Sequence, residues 1–292
     1  MTPHQQTKTT QSGRAVLVVA HPGHELNLTG WLTMMRPSVF VITDGAGQLS
    51  RSRIHSTTKV LLPMGARPGS IYGHFSDQEV YEAMLSHDVS LFLRMTFELA
   101  DWLVLDGVEY VVGDSAEGYN PMHDVCRILI GGAVELASSL DGRPIGNYEY
   151  VVTGQRDGCI AGRCGGTIRL RLDDDALKRK LAAAFAYPEL AGEVGAAVRR
   201  SGIEAFRHEC LHPIENWRSW TPVAGSKPYY EEHGESRVSS GKYQHLVRYA
   251  EHIGPLHTAF WEAINQSLDT RGATSTFGTS TLQIARSTDR HS

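Results

Sequence analysis

The sequence predicts an α/β fold of the Rossmann-like type, with a mostly parallel sheet flanked by helices and a C-terminal cap or extension. Short apolar, β-branched runs alternate with stretches of helical periodicity through the first half of the chain, which is typical of βα units. The chain has 292 residues, of which 41% are hydrophobic, and this is enough for a large core. A glycine-rich stretch at residues 154–166 then marks the best internal boundary.

The alternation begins near residue 14. Residues 14–20 and 38–43 are apolar runs of strand length, so we predict two strands there. Residues 25–35 and 52–62 show helical spacing and follow those strands. A short strand is predicted at residues 69–72. These elements make up the first βα units of the sheet.

The same pattern continues to residue 153. Residues 88–103 read as a helix, and residues 108–114 form the clearest buried strand of the sequence. A helix of mostly apolar and small residues is predicted at 123–140, and a strand at 148–153 closes the series. The core of the domain is therefore expected to span residues 14–154.

The rest of the chain is predicted to complete or cap this core, over residues 155–268. It holds a strand at 167–172, a charged helix at 174–186, an irregular stretch rich in Trp, Pro and Tyr, and helical segments at 243–251 and 256–267. The two ends of the chain, residues 1–13 and 269–292, are polar and are predicted to be a disordered N-terminus and a flexible tail.

Composition excludes several classes of partner. Charged residues make up 21% and the net charge is −4, so nothing indicates binding to nucleic acid or to an anionic membrane. The apolar runs are far shorter than the roughly 20 residues of a membrane helix, and the first residues lack the apolar segment of a secretion signal. We therefore expect a cytoplasmic protein with a small-molecule substrate and reduced thiols at Cys126, Cys159, Cys164 and Cys210; a homo-oligomer is left open.

Three histidines point to a metal site. His21 and His24 lie where the first strand ends and a helix begins, and open parallel sheets bind ligands at that edge. Spacing of i and i+3 in an early helical turn can bring two imidazoles together. His123 follows the strongest later strand, so it can supply a third ligand. A single histidine of this kind is better interpreted as an ordinary polar residue at a helix start. Because histidines occur at two separate strand-to-helix junctions, we predict a site for one divalent ion, with zinc preferred and iron as the alternative.

The residues around these histidines resemble the PIG-L/LmbE-like N-deacetylases. The first motif of that family is Ala-His-Pro-Asp-Asp-Glu, and the corresponding run here is Ala20-His21-Pro22-Gly23-His24-Glu25. Further matches follow in the family's order over residues 14–190: Thr43-Asp44-Gly45, Arg53, Asn120-Pro121-Met122-His123 in place of His-Pro-Asp-His, and a later helix within residues 172–190. The order of the matches is more specific than any one of them.

The resemblance implies a zinc-dependent hydrolase that removes an acyl group from an amine of a small, sugar-like metabolite. It also implies roles for single residues: His21, His24 and His123 as metal ligands, and Asp44 and Arg53 as substrate-binding residues. Tyr119, close to His123 in the sequence, is predicted from its own hydroxyl to contact the substrate as well. In the family the first Asp of the motif is the general base and the second is a ligand, whereas this sequence has Gly23 and His24.

Two acid or base groups of the family are therefore replaced here. Gly23 has no side chain that takes a proton, and Asn120 cannot donate one as an imidazolium. The predicted catalytic residues are Glu25, Tyr119, Asn120 and Asp124. Glu25 and Asp124 are expected to orient the metal ligands, and Tyr119 is expected to donate to the carbonyl or the leaving group. Asp114 and Glu117 are nearby in sequence and are further candidates.

Two alternatives stay open on the sequence. The first is a non-hydrolytic metal enzyme or a ligand-binding protein on the same fold, with a three-histidine site that suits iron. The second is a metallopeptidase, because His208-Glu209-Cys210-Leu211-His212 fits the His-Glu-x-x-His pattern. Pro213 follows at once and would end the helix, whereas a peptidase needs both histidines within a helix. We therefore expect residues 208–212 to be an ordinary, partly solvated helix face and not a metal site.

Overall fold

The computed structural model describes residues 14–47, 51–153, 165–214, 218 and 226–284, with side chains as far as residue 270. The strands β1 to β7 are Ala15–Val19, Ser38–Thr43, Arg67–Phe75, Tyr110–Asp114, Gly146–Tyr150, Ile168–Arg171 and His208–Pro213. The helices α1 to α9 are Thr29–Met35, Ile54–Met64, Asp77–Leu85, Val89–Leu105, Pro121–Asp141, Asp174–Phe185, Ala191–Ser201, Tyr229–Ser239 and Gly254–Ile284.

The strands form one sheet in the order β3-β2-β1-β4-β5-β7-β6. Strands β1 to β5 are parallel, and β7 runs antiparallel to both β5 and β6. The chain proceeds outward from β1 in one direction to β3 and then crosses to β4 on the other side. Such a reversal opens a crevice beyond the carboxyl ends of the two central strands. The predicted α/β fold with a mostly parallel sheet is confirmed.

Both faces of the sheet are covered, which explains why the central strands are apolar throughout. In β1, Val16 and Val18 face a core shared with α4, α5 and α9, while Leu17 and Val19 face a second core with α1 and α2. Side chains alternate across a strand, so a strand buried on both faces cannot alternate apolar with polar residues. The rigid central strands hold their carboxyl ends, and the loops that follow, at fixed positions.

The first predicted helix is wrong in its type and start. The segment predicted as one helix, residues 25–35, is in the structure a 3-10 helix, His24–Leu28, followed by α1. The backbone breaks at Leu28, with φ −123° and ψ 31°, which is outside helical geometry. The predicted strand at 69–72 is longer in the structure, because β3 pairs with β2 along Arg67–Phe75 with two register shifts.

Other elements were not predicted from the sequence. Helices α3 and α7 are additional, and α8 lies in the stretch expected to be irregular. The helical prediction for residues 243–251 holds only at its end, where a π-helix begins at Tyr249. The predicted helix face at residues 208–212 is wrong, because this segment is β7.

The predictions for the chain ends are not tested. Residues 1–13, and Cys159 and Cys164 in the glycine-rich stretch, lie outside the described residues. Helix α9 takes in residues 269–284 of the predicted tail, and the mobility of that tail stays a prediction. Within the part of the chain that the structure describes, no helix combines the length and apolar character needed to cross a bilayer.

Candidate metal centre

The three predicted histidines come together at the carboxyl edge of the sheet. His21 and His24 follow β1, and His123 is the third residue of α5, just after β4. Their ring centroids are 5.4 Å apart for His21 and His24, 5.6 Å for His21 and His123, and 4.7 Å for His24 and His123. The crevice between the two central strands therefore holds three imidazoles from two distant segments.

A sharp turn after β1 directs the first two rings. Gly23 has φ +104°, in the region that favours glycine, and its amide donates to Glu25 Oε2 at 2.7 Å. Glu25 is fully buried, and burial raises the pKa of its carboxyl group. In the structure Glu25 thus holds the turn between the two histidines.

A buried carboxylate orients His24. Asp114 ends β4, and its Oδ2 lies 2.7 Å from His24 Nδ1 while accepting from the Ala20 amide at 2.8 Å. The other oxygen, Oδ1, accepts from the Tyr150 hydroxyl at 2.7 Å. Although burial raises the pKa of Asp114, the charge and hydrogen bond of His24 lower it more, so its pKa lies well below the usual range. With Nδ1 held in this way, Nε2 of His24 is the nitrogen left for a ligand.

His21 is held by partners that sequence reasoning missed. Its Nδ1 lies 2.8 Å from Thr43 Oγ1, at the end of β2, and 3.2 Å from Asp77 Oδ1, in the first turn of α3. The hydrogen bond and charge of His21 outweigh burial and lower the pKa of Asp77. The Ser76-x-x-Glu79 capping box marks the start of α3 in the sequence, but no local pattern shows that Asp77 reaches His21.

The third ring is kept neutral. His123 is 3% exposed, and burial together with the charge of the neighbouring His24 lowers the pKa of its imidazole well below the usual value. Neutral imidazole is the form that binds metals. His123 Nδ1 and His21 Nε2 are buried and have no hydrogen-bond partner among the described residues. Buried polar atoms without partners are uncommon in proteins and call for an explanation.

These rings suit one metal ion in identity and spacing. Zinc lies about 2.0–2.1 Å from an imidazole nitrogen, so rings around one tetrahedral ion have centroids about 5 Å apart. As they stand, no group of three or more His, Cys, Asp or Glu side chains among the described residues is arranged so that it could hold a metal ion. Turning an imidazole about its Cβ–Cγ bond moves the nitrogens but hardly moves the centroid. His123 Nδ1 makes no hydrogen bond to described residues that would resist such a turn.

Two predicted catalytic residues, Asn120 and Asp124, accept hydrogen bonds from backbone amides close to them in the sequence. Asn120 is the N-cap of α5, and its Oδ1 accepts from the Met122 amide at 2.8 Å. Asp124 Oδ1 accepts from the Gly118 amide at 3.1 Å, and burial raises the pKa of Asp124 to about 8. Both residues shape the loop that leads from β4 into α5.

The predicted substrate-binding residues lie on two loops near the crevice. Asp44 Oδ1 accepts from the Ala46 amide at 2.9 Å, and its carbonyl oxygen accepts from the Arg53 amide at 2.8 Å, so these two residues close one loop. Tyr119 lies on the other loop, is 45% exposed, and has its ring centroid 6.4 Å from that of His123. Tyr119 therefore neighbours the third histidine.

Glu117 anchors the chain on the far side of the same loop. Its carboxylate accepts from Ser115 Oγ at 2.7 Å and from the Val152 amide at 2.6 Å, and it also contacts the amide and hydroxyl of Thr153. Glu117 therefore ties the loop after β4 to the loop after β5. Its oxygens are engaged there and not at the imidazoles.

The position of the family's general base is closed by packing. A Cβ atom added at Gly23 would lie 2.3 Å from Leu190 Cδ1, and its three nearest atoms belong to Leu190 and Tyr187. A side chain here would point into that packing. Leu190, in the segment before α7, thus fills the space beside Gly23.

The metallopeptidase alternative is wrong. Residues i and i+4 of a helix share one face, but along a strand His208 and His212 are about 13 Å apart. Glu209 turns into the core, where its carboxylate accepts from the Gly30 and Trp31 amides at 3.0 and 2.8 Å and pairs with Lys180 Nζ at 2.8 Å. The glutamate of this motif therefore holds the start of α1.

The chain matches no protein-family model, and no curated protein matches it. Among solved structures it is similar to the A40926 pseudoaglycone deacetylase Dbv21, with 14% identity and a TM-score of 0.46 over 70% of this chain and 98% of that one. It is also similar to the zinc-inhibited form of the teicoplanin deacetylase Orf2, with 13% identity and a TM-score of 0.46 over 68% and 97%. At these values the likeness carries no argument about activity.

The Asp114→Asn variant is expected to bind a divalent ion about 10- to 100-fold more weakly than the parent chain, because the carboxylate that orients His24 is lost. Titration against a chromogenic chelator measures this. Tyr150→Phe, which removes the hydroxyl that bonds Asp114 and the His24 carbonyl but keeps the carboxylate, is the matched control and should have a smaller effect. Equal metal affinity in the parent and Asp114→Asn chains would contradict the assignment.

Proposed function

We propose that this chain is a metal-dependent amide hydrolase of the PIG-L/LmbE-like type, which removes an acyl group from an amine of a small molecule. The observation that carries the proposal is the meeting of His21, His24 and His123 at the switch point of the sheet. The sequence resemblance favours an amino-sugar or other N-acylated metabolite as the substrate. Zinc is the preferred ion.

When bound, the ion supplies polarisation of the amide carbonyl and a water molecule whose pKa is lowered to about 7. The protein's own groups prepare the site for it. Asp114 and Asp77 hold Nδ1 of His24 and His21, which fixes the orientation of both rings. Tyr119 stands on the exposed side of the cluster, where its hydroxyl can donate to the carbonyl oxygen or the leaving nitrogen.

The absence of a side chain at Gly23 is compatible with this chemistry. His21, His24 and His123 would hold the ion as uncharged ligands, which would leave it more charge for lowering the pKa of a bound water than a carboxylate ligand would. General-base assistance contributes typically about 10²–10⁴-fold, and we expect the reaction to be slower by a factor of this order than in a deacetylase that retains the aspartate.

The first test is metal content and amine release in the same preparation. The parent chain is expected to retain one zinc ion per chain and to release amine from N-acylated substrates, as measured by elemental analysis and a fluorogenic amine assay. His123→Ala is expected to lose both, because two imidazoles from one segment hold an ion poorly. His212→Ala removes a buried histidine of β7 whose Nδ1 lies 3.3 Å from Thr167 Oγ1; it is the control and should retain the ion. Retention of zinc by His123→Ala would sink the proposal.

A second candidate keeps the fold and the ion but not hydrolysis. It is favoured by the packing of Leu190 against Gly23, together with the engagement of Glu25, Asp114 and Asp124 in local hydrogen bonds. In that case the site runs a different metal reaction or only binds a ligand, and imidazole ligands suit ferrous iron as well as zinc. Iron retained without amine release, from any N-acyl substrate tried, favours this second candidate over the first.

A further inference from the structure

The side chain of Asp77 bonds to two parts of the crevice at once. Asp77 is the first residue of α3, and its side chain is 21% exposed. Its Oδ1 lies 3.2 Å from His21 Nδ1, and its Oδ2 accepts from the Gly47 amide at 2.7 Å. One carboxylate therefore connects a candidate metal ligand to the loop that follows β2.

The hydrogen bonds around His21 assign the proton on its ring. Thr43 Oγ1, 2.8 Å from Nδ1, donates its own hydrogen to the Ala20 carbonyl oxygen at 3.1 Å. The carboxylate of Asp77 has no hydrogen to donate, so both neighbours of Nδ1 act as acceptors. Nδ1 therefore carries the proton. Nε2, which is buried without a partner among the described residues, keeps its lone pair for a cation.

The loop after β2 carries Asp44 and Arg53, the predicted substrate-binding residues, and its residues 44–47 and 51–53 are described. At its base, the Arg53 amide donates to the Asp44 carbonyl oxygen, and the Asp44 amide donates to the Phe75 carbonyl oxygen, each at 2.8 Å. Farther out, the backbone turns at Gly47, with φ +51°, and directs its amide at Asp77. Asp77 thus joins the outer part of this loop to α3.

The start of α3 is closed by other groups. Ser76 is its N-cap and forms a capping box with Glu79. Ser76 Oγ accepts from the Glu79 amide at 3.2 Å, and Glu79 Oε2 accepts from the Ser76 amide at 2.7 Å. The helix therefore does not need Asp77 as a cap, and both oxygens of Asp77 bond outside the helix.

We propose that Asp77 couples the candidate metal centre to the loop that carries the predicted substrate-binding residues. A divalent cation on Nε2 of His21 would fix the ring, the ring would hold Asp77, and Asp77 would hold the loop through Gly47. The cation and the substrate rest on the proposed function, whereas the connection from His21 to Gly47 rests on the hydrogen bonds alone. Because coupling is reciprocal, a ligand that holds this loop would also strengthen metal binding. Asp77 is in this account a positioning residue.

The connection is tested first without metal, by hydrogen–deuterium exchange resolved to single amides on the full-length chain. His21→Ala removes one partner of Asp77, so exchange at the Gly47 amide is expected to become about three- to tenfold faster. His24→Ala is the matched control. It also removes an imidazole of the cluster, but His24 bonds to Asp114 and not to Asp77. Exchange at Gly47 should be unchanged in His24→Ala.

Zinc is the probe for the second half, with occupancy measured by elemental analysis. In the parent chain, saturating zinc is expected to slow exchange at Gly47 about tenfold. The Ala46 amide, which bonds to Asp44 Oδ1 at 2.9 Å, lies in the same loop and should change less. In Asp77→Ala, the Gly47 amide should exchange fast with and without zinc. A purely structural role of Asp77 would give the same exchange at every zinc concentration, so the dependence on zinc is the diagnostic readout.

A conservative variant gives a graded result. Asp77→Asn keeps one acceptor oxygen for the two donors, His21 Nδ1 and the Gly47 amide. The effect of zinc on Gly47 should therefore be smaller in Asp77→Asn than in the parent chain and larger than in Asp77→Ala. A zinc effect in Asp77→Asn that equals that of the parent would contradict the role of the carboxylate.

The outcomes separate this proposal from the proposed function. Faster exchange at Gly47 in His21→Ala, in a chain that binds no zinc, supports the connection and refutes the metal-dependent hydrolase. Zinc binding with amine release, but with an unchanged Gly47 amide, refutes the coupling alone. Equal exchange at Gly47 in the parent and His21→Ala chains, or protection by zinc that persists in Asp77→Ala, would also overturn the coupling.

Discussion

Glu209→Ala is expected to lower the free energy of unfolding by about 3–5 kcal/mol, which is a large part of the stability of an ordinary domain. Glu209 and Lys180 are 1% and 3% exposed, and removing the carboxylate leaves the ammonium group buried without its counter-charge. The amides of Gly30 and Trp31, at the start of α1, lose their acceptor at the same time. Denaturation by urea, followed by circular dichroism, measures the change.

Two further variants separate the causes. Glu209→Gln removes the charge and keeps one acceptor oxygen for the two α1 amides, so its stability should lie between those of the parent and Glu209→Ala. His208→Ala changes the neighbouring, partly exposed residue of the same strand and should cost less than either. If Glu209→Ala were as stable as the parent but inactive, the structural role assigned to this glutamate would be wrong.

Gly23→Asp restores the residue that the related motif carries, and we expect it to destabilise the chain and not to accelerate amide hydrolysis. A non-glycine residue at φ +104° costs about 1–3 kcal/mol of backbone strain. The new Cβ would also lie 2.3 Å from Leu190 Cδ1, so the leucine must move. The carboxylate would enter the packing of Leu190 and Tyr187, where it is not placed to take a proton from a water molecule at the imidazoles.

Gly23→Ala is the matched control, because it has the same strain and the same Cβ without the carboxylate. Gly23→Ala should lose the stability that is due to strain and collision, and Gly23→Asp should lose more, because its carboxylate enters apolar packing. The double variant Gly23→Asp with Leu190→Ala should recover the part that is due to the collision. Urea denaturation and the amine assay on all four chains give the comparison. A rise in amine release in Gly23→Asp alone would contradict this account of the turn.

The sequence alone predicted the parts of this protein that depend on neighbouring residues. Apolar runs of strand length, alternating with helical spacing, indicated the parallel sheet, because periodicity reflects which faces are buried. Since parallel strands present their carboxyl ends at one edge, His21, His24 and His123 were expected to meet, and their rings lie 4.7–5.6 Å apart. Where local patterns were ambiguous, as at residues 208–212, the helix prediction was wrong, because pairing between β7 and two other strands decided the backbone.

The partners of the site residues were decided by the tertiary structure. Asp77 reaches His21 from 56 residues away, and Glu209 reaches α1 from 179 residues away. Leu190 fills the space beside Gly23, and α8 brings Tyr229 onto Tyr119. No local pattern encodes such contacts, since a side chain finds its partner only after whole elements have packed. The sequence by itself therefore predicted which residues belong to the candidate site, and long-range packing determined which partners hold them there.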